Sequence, residues 1–272
     1  KFIIKKIFKI CDLPNLANPV IVKRLRENQT EMIKLQSIVD ILEKEGVENT
    51  VVLLQDAFTS YYEPHILLDT IDVLEKLGYR VILSKCFVNG KPLYIRGFLS
   101  AFQKRVKRVG AELSRIQEMG IPIIGIEPSI TLTYRDEYQK ATDEMISFNV
   151  QLIQEFLGDK LEPRLISVLG KKEYRVLTKK VAEKKQKEKE GIMTDSFLLY
   201  SHCTEKAMLK DSEKRWQSIF ESLNLNLNVA KVGCCGMAGV YGHLVEYESN
   251  SKELFDLSWL DQILLTNTKN IL

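Results

Sequence analysis

No stretch of the sequence approaches the 18 or more uninterrupted apolar residues of a membrane-spanning helix. The opening Lys-Phe-Ile-Ile-Lys-Lys-Ile-Phe-Lys is too broken by lysines to be the apolar core of a secretory signal. It has no initiator methionine, which sets the expectation of a piece of a longer polypeptide. No G-x-G-x-x-G loop is present, so the usual dinucleotide-binding fingerprint is missing. Strong net charge is missing too: 39 Lys and Arg against 36 Asp and Glu leave +3. Nine basic and four acidic side chains fall within residues 171–190, so the remainder is nearly neutral. A neutral body with one basic segment argues against nucleic acid as the main partner. Cysteine, at five in 272 residues, is too scarce for a disulfide scaffold. An odd number without a signal sequence points to a reducing, cytoplasmic setting. What is present is ordinary: 45% apolar, 28% charged and 8% aromatic residues, enough chain for about two globular domains.

Residues 1–45 read as an N-terminal extension followed by a helix. Leu13-Pro14 and Asn18-Pro19 favour extended or turn backbone. From Thr30, the apolar residues Met32, Ile33, Leu35, Ile38, Val39, Ile41 and Leu42 recur at helical spacing as far as Gly46. A first α/β lobe is expected over 46–160. Its strands are Val51–Leu54, Val81–Leu83 and Ile121–Ile126, and Pro64 starts a helix that Gly78 ends. Tyr94 to Met119 reads as one long helix with Lys104, Arg105, Lys107 and Arg108 on its exposed face. Residues 130–158 read as another helix, with Met145, Phe148, Leu152 and Phe156 as its buried stripe. The lysine- and glutamate-rich tract within 161–192 is a linker or solvated helix. It and the basic face at 104–108 would suit an acidic partner or an anionic surface, although plain solvation explains both. A second lobe over 193–272 repeats the alternation with a strand at Phe197–Tyr200, a helix at Lys214–Leu223 and a strand at Leu227–Val232. Strands alternating with helices make the fold class α/β with a parallel sheet. The halves echo one another. Val51–Gln55 runs into Asp56 with Cys86 30 residues later, and Phe197–Ser201 runs into His202-Cys203 with Cys234 31 residues later.

Chemistry concentrates in Ser201-His202-Cys203-Thr204-Glu205 and in Gly233-Cys234-Cys235-Gly236-Met237-Ala238-Gly239-Val240-Tyr241-Gly242-His243. Cys203 follows one predicted strand, and Cys234 and Cys235 follow the next. In a right-handed βαβ unit these strand ends lie on one edge of the sheet, where open α/β sheets bind ligands. Glycines at 233, 236, 239 and 242 suit a backbone that turns tightly or approaches a bulky group, and Gly233, Gly236 and Gly239 are the candidate cofactor-cradling positions. Amides leading into a following helix would favour thiolates, the metal-binding form. Three convergent thiolates suit iron–sulfur or zinc ligation. His202 and His243 flank them as possible ligands or hydrogen-bonding neighbours. The simpler alternative is a buried cysteine pair packing as small hydrophobes. A redox switch between Cys234 and Cys235 is disfavoured, because a disulfide between adjacent residues is strained.

These two segments closely resemble the cysteine-rich CCG domain found in heterodisulfide reductases, in the iron–sulfur component of anaerobic glycerol-3-phosphate dehydrogenase, and in flavin-linked 2-hydroxyacid dehydrogenases. More narrowly, the chain looks like the C-terminal part of the bacterial FAD-linked, iron–sulfur D-2-hydroxyacid (D-2-hydroxyglutarate or D-lactate type) dehydrogenases. Gln55-Asp56-Ala57-Phe58-Thr59-Ser60-Tyr61-Tyr62, Asn89-Gly90-Lys91, Ile95-Arg96-Gly97-Phe98-Leu99, Tyr134-Arg135-Asp136-Glu137-Tyr138, Trp216 with Ile219-Phe220, and Leu257-Ser258-Trp259 carry that resemblance. It implies two Rossmann-like lobes with mainly parallel sheets related by a pseudo-repeat, each able to carry an iron–sulfur ligand set. It assigns Cys203, Cys234 and Cys235 as ligands in the second lobe and no catalytic residue. In the first lobe the family's cysteines fall near Asp56, at Val88-Asn89-Gly90 and at Ile130, so that lobe is degenerate, and Cys86 alone does not replace them. A further cysteine motif expected beyond the CCG segment is not in the sequence, which implies truncation at the C-terminus.

The expectation is an electron-transfer module holding a 4Fe-4S type cluster. Its partners would be flavin (FAD) and ferredoxin-like domains of the same polypeptide and an electron acceptor. The parent would be an FAD-linked oxidoreductase, cytoplasmic or peripheral at the inner membrane. The alternative is a non-catalytic interaction domain holding zinc or no metal.

Overall fold

The computed structural model describes residues 4–11, 15–17, 32–142, 145–189, 196–239, 241–266 and 270–271. Contacts divide the chain into two compact units, one of residues 16–156 and one of residues 1–15 with 157–272.

In the unit of residues 16–156 the elements run β1 (Met32–Ile33), α1 (Leu35–Glu45), β2 (Thr50–Leu53), α2 (Ala57–Tyr61), α3 (Pro64–Lys76), β3 (Arg80–Ser84), α4 (Lys91–Ile95), α5 (Leu99–Glu118), β4 (Ile123–Gly125), α6 (Pro128–Thr133), α7 (Glu137–Lys140) and β5 (Val150–Leu152). The five strands form one parallel sheet in the order β1-β3-β2-β4-β5. Val51, Val52 and Leu53 are buried on both faces at its centre, as a continuous β-branched run requires. β3 lies on one side of β2 and β4 on the other, so the topological switch opens at the carboxyl ends of β2 and β4. Leu35, Ile38, Val39 and Leu42 of α1 share a core with Phe102, Val106, Val109, Leu113 and Ile116 of α5. Helix 35–45 therefore belongs to this unit and not to a separate extension. Tyr138 is wholly buried in the same core, edge-on to Phe102, Tyr134 and Phe148, and its hydroxyl donates to the Asn89 carbonyl at 2.6 Å.

Three expectations are corrected here. Met32 and Ile33 do not start the helix; they pair with Leu83 and Ser84 as a short strand. The long helix expected over 94–119 is interrupted at Arg96-Gly97-Phe98, where Gly97 takes a positive φ of 75°. Residues 130–158 are not one helix. Phe148, Val150 and Leu152 alternate inward as a strand does, and 150–152 pair with 123–125, while Met145 is 90% exposed.

The other unit contains α8 (Leu161–Leu169), α9 (Lys171–Lys189), β6 (Ser196–Leu199), α10 (Cys203–Met208), α11 (Ser212–Ser222), β7 (Asn226–Val229), α12 (Glu248–Asp256), α13 (Trp259–Leu265) and β8 (Asn270–Ile271). Its sheet is also parallel, in the order β7-β6-β8. The charged tract is a helix tied into the unit: the Tyr174 hydroxyl donates to the Ser222 carbonyl at 2.9 Å, and the Asn224 amide to the Thr178 carbonyl at 2.8 Å. The two units share one local order. A strand, a short helix capped by a polar side chain, a longer helix and a parallel strand recur as β2-α2-α3-β3 and β6-α10-α11-β7. Asp56 is the cap in the first and His202 in the second. No described helix is long and apolar enough to cross a membrane.

Candidate metal centre

Strand β6 ends at Leu199, and Cys203 opens α10 shortly afterwards, held by a local cap in which His202 Nδ1 accepts the Thr204 amide at 3.2 Å. Strand β7 ends at Val229, and the chain runs on without regular structure through Gly233-Cys234-Cys235-Gly236. Because β6 and β7 are parallel neighbours, both segments leave from the same edge of the sheet.

The thiols meet there. Cys203 and Cys234 are hydrogen-bonded to each other, and Cys235 is close enough for its charge to act on Cys203. All three are partly buried and free of disulfides. Burial is the largest influence on Cys203 and pushes its thiol up; the charges of Cys234 and Cys235 and the bond to Cys234 push it further, against a smaller lowering by Thr204. This corrects the expectation of helix-stabilised thiolates. No described helix begins directly after the glycines; turns at Tyr241–His243 and Val245–Tyr247 come first, and α12 starts only at Glu248. Three crowded sulfurs resist ionisation, so a metal would have to displace their protons. Among the described residues, no three His, Cys, Asp or Glu side chains already stand as a closed metal site. The donor set is soft and mutually close, one thiol short of the four that hold a cluster.

The glycines differ in what their positions demand. Gly236 has φ of 81°, and a Cβ there would run into the Ser251 carbonyl; its amide also donates to Cys234 Sγ at 3.4 Å. A Cβ on Gly242 would crowd Ser251 Oγ and Met237 Sδ. Gly239 needs its positive φ of 70° but faces open space. Gly233 is held on both sides: its amide donates to Ser258 Oγ at 2.9 Å, and its carbonyl accepts Trp259 Nε1 at 3.1 Å. Trp259 in turn stacks on Tyr200. His243 serves through its backbone: its carbonyl accepts the Cys11 amide at 2.8 Å and the Cys11 thiol at 3.1 Å. The stretch 9–11 thus lies antiparallel against 243–245. Neither the part played by Cys11 nor that of Ser251 has a sequence signal, since each depends on a contact distant in the chain.

At the corresponding edge of the other sheet, hydrogen bonds stand where a ligand set would be. Asp56 accepts the amides of Phe58 at 2.7 Å and Thr59 at 3.0 Å, and the Thr59 hydroxyl at 2.6 Å. Asn89 Oδ1 accepts the Lys91 amide, and the Lys91 ammonium is ringed by the Ser129 carbonyl, Thr133 Oγ1 and Glu137. Ile130 supplies its amide, which caps onto Glu127. Cys86 is the thiol at this edge among the described residues, pushed up chiefly by burial and further by Asp56, with a bond to Ser60 opposing.

The chain is similar to D-2-hydroxyglutarate dehydrogenases. That of Haemophilus influenzae is 35% identical over 263 residues, covering 94% of this chain and 24% of the relative. That of Escherichia coli is 32% identical over 249 residues, covering 91% of this chain and 22% of the relative. That of Pseudomonas putida is 36% identical over 216 residues, covering 79% of this chain and 19% of the relative. The chain therefore spans about a quarter or less of the length of these relatives. No family model matches it.

Proposed function

We propose that this chain is an iron–sulfur electron-transfer region of an FAD-linked D-2-hydroxyacid dehydrogenase, with Cys203, Cys234 and Cys235 as its cluster ligands. The observation that carries the reading is the meeting of three free thiols from two separate segments at one sheet edge. The similarity to D-2-hydroxyglutarate dehydrogenases supports the substrate class, a D-2-hydroxy acid oxidised by the parent polypeptide. Its flavin and ferredoxin-like domains would be the redox partners, in a cytoplasmic or peripheral inner-membrane setting.

A bound 4Fe-4S type cluster would supply one-electron storage and transfer. The chain's own residues supply the rest. Cys203 is fixed by the His202 cap, and Cys234 and Cys235 by the anchored Gly233 and the Gly236 turn. Trp259 and Tyr200 pack against the segment that leads into Gly233 and help exclude water from it. The Gly236 amide aimed at Cys234 Sγ is a donor of the kind that stabilises reduced, more negative sulfur. The fourth ligand would come from outside this chain.

The test is the iron and acid-labile sulfide content of the parent polypeptide, prepared without oxygen. Iron and sulfide in matching amounts, with an EPR signal on reduction, are expected. A second reading, a non-catalytic interaction domain with zinc or no metal, draws on the three-thiol set and on the edge around Asp56, where hydrogen bonds take the place of thiols. Stoichiometric zinc without sulfide would establish that reading and end the first.

A further inference from the structure

Lys206 is one helical turn after Cys203 on α10, so the two side chains share a face. Its ammonium crosses to the second cysteine segment and donates to the Val232 carbonyl at 2.9 Å, two residues before Cys234. The same ammonium lies 3.6 Å from Glu213 Oε1, on α11, and that carboxylate oxygen is buried without a hydrogen-bond donor. One cation therefore ties together the helix that starts at Cys203, the strand exit that leads to Cys234-Cys235, and the intervening helix α11. A buried carboxylate without a donor is costly unless a counter-charge is held beside it, and this keeps the ammonium in place.

We infer that Lys206 is a positioning residue for the thiol site: it sets the register between Cys203 and the Cys234-Cys235 segment. The inference rests on the proposed metal centre but concerns the placement of the thiols before any metal arrives. Val232 offers a backbone oxygen, so side-chain variation at 232 leaves the tie intact, whereas loss of the cation releases it. Arginine keeps a positive charge and several donors, so it restores the tie in part.

The experiment uses the full 272-residue chain, reduced and stripped of metal, and a short bis-electrophile, dibromobimane, with the cross-linked peptides identified by mass spectrometry. Lys206→Met alone leaves the Glu213 carboxylate uncompensated and risks unfolding. Lys206→Met with Glu213→Gln removes that charge, and circular dichroism checks that it folds. The expected result is a Cys203–Cys234 cross-link in the wild type, falling about tenfold in the double variant, as the loss of one charge-assisted hydrogen bond implies. Lys206→Arg recovers most of it. Ile219→Val, a core change in α11 away from the cysteine segments, serves as the control for general loosening and keeps the wild-type yield. A double variant that cross-links like the wild type, or an Ile219→Val that loses as much, overturns the inference. Iron content of the parent polypeptide separates the two failures: iron present with cross-linking unchanged removes Lys206 from the site and leaves the metal centre standing. Iron absent with cross-linking lost removes the cluster and leaves the positioning role.

Discussion

Replacing Cys235 by serine should strip the metal from the anaerobically prepared parent polypeptide, while Cys86→Ser should leave it in place. Losing an outer-shell partner of a metal ligand costs roughly 10–100-fold in affinity, and losing a sulfur ligand costs more. Cys235 lies within electrostatic reach of Cys203, which is hydrogen-bonded to Cys234. Cys86 belongs to the other unit, where it faces Ser60 and Asp56. Both substitutions remove one partly buried thiol, so the contrast isolates location from chemistry. Metal content and, for iron, the reduced EPR signal are the readouts. A Cys235→Ser protein with full metal would remove this residue from the ligand set, and equal losses from both substitutions would point to instability rather than ligation.

The second large effect is expected at Gly236. Alanine there must hold a φ of 81° and also place its Cβ against the Ser251 carbonyl, which is backbone of α12 and yields little. The conformational part costs about 1 kcal/mol and the overpacking about 1–3 kcal/mol more. Relief comes by moving the loop, and with it Cys234 and Cys235. Gly236→Ala should therefore lower the melting temperature by several degrees and lose metal. Gly239→Ala keeps a comparable φ penalty but meets nothing within 4 Å, so it should cost about 1 kcal/mol and retain metal. If the two alanines behave alike, the packing of Gly236 on Ser251 is not what shapes the loop.

Much of this arrangement is legible in the residues themselves. Val51–Leu54 is apolar on both faces, and a central parallel strand is what buries such a run, so β2 can be placed at once. Pro64 and Gly78 bracket α3 because one suits a first turn and the other a left-handed stop. The meeting of Cys203 with Cys234 follows from topology alone, since consecutive parallel strands deliver their loops to one edge. Other features are not legible, for identifiable reasons. Phe148, Leu152 and Phe156 fit a helical stripe as well as the true strand and turn, and the choice is settled by pairing with β4, a long-range contact. The break at Gly97 is hidden because apolar residues continue at helical spacing on both sides of it. The protonated character of Cys203 does not follow from the glycine pattern, which suggests a helix where the chain instead forms turns. Lys206 reads as an ordinary solvated lysine. Only the position of the Val232 carbonyl and of Glu213 gives it a task.

The Asp56 edge and the Cys203 edge show how similar backbones can carry different chemistry. In both, a polar residue caps a short helix directly after a buried strand. At one edge the carboxylate is filled by three local donors and the neighbouring loop by the Lys91 ion-pair network. At the other, the cap is an imidazole and the space beside it belongs to sulfur.

The most direct measurement is differential alkylation of the five cysteines in the anaerobically prepared parent polypeptide, read by mass spectrometry before and after chelation. A shared metal predicts that Cys203, Cys234 and Cys235 resist alkylation together and become reactive together when the metal is removed, while Cys86 reacts the same way throughout. Independent reactivity of the three, with no change on chelation, would contradict a common metal at this sheet edge.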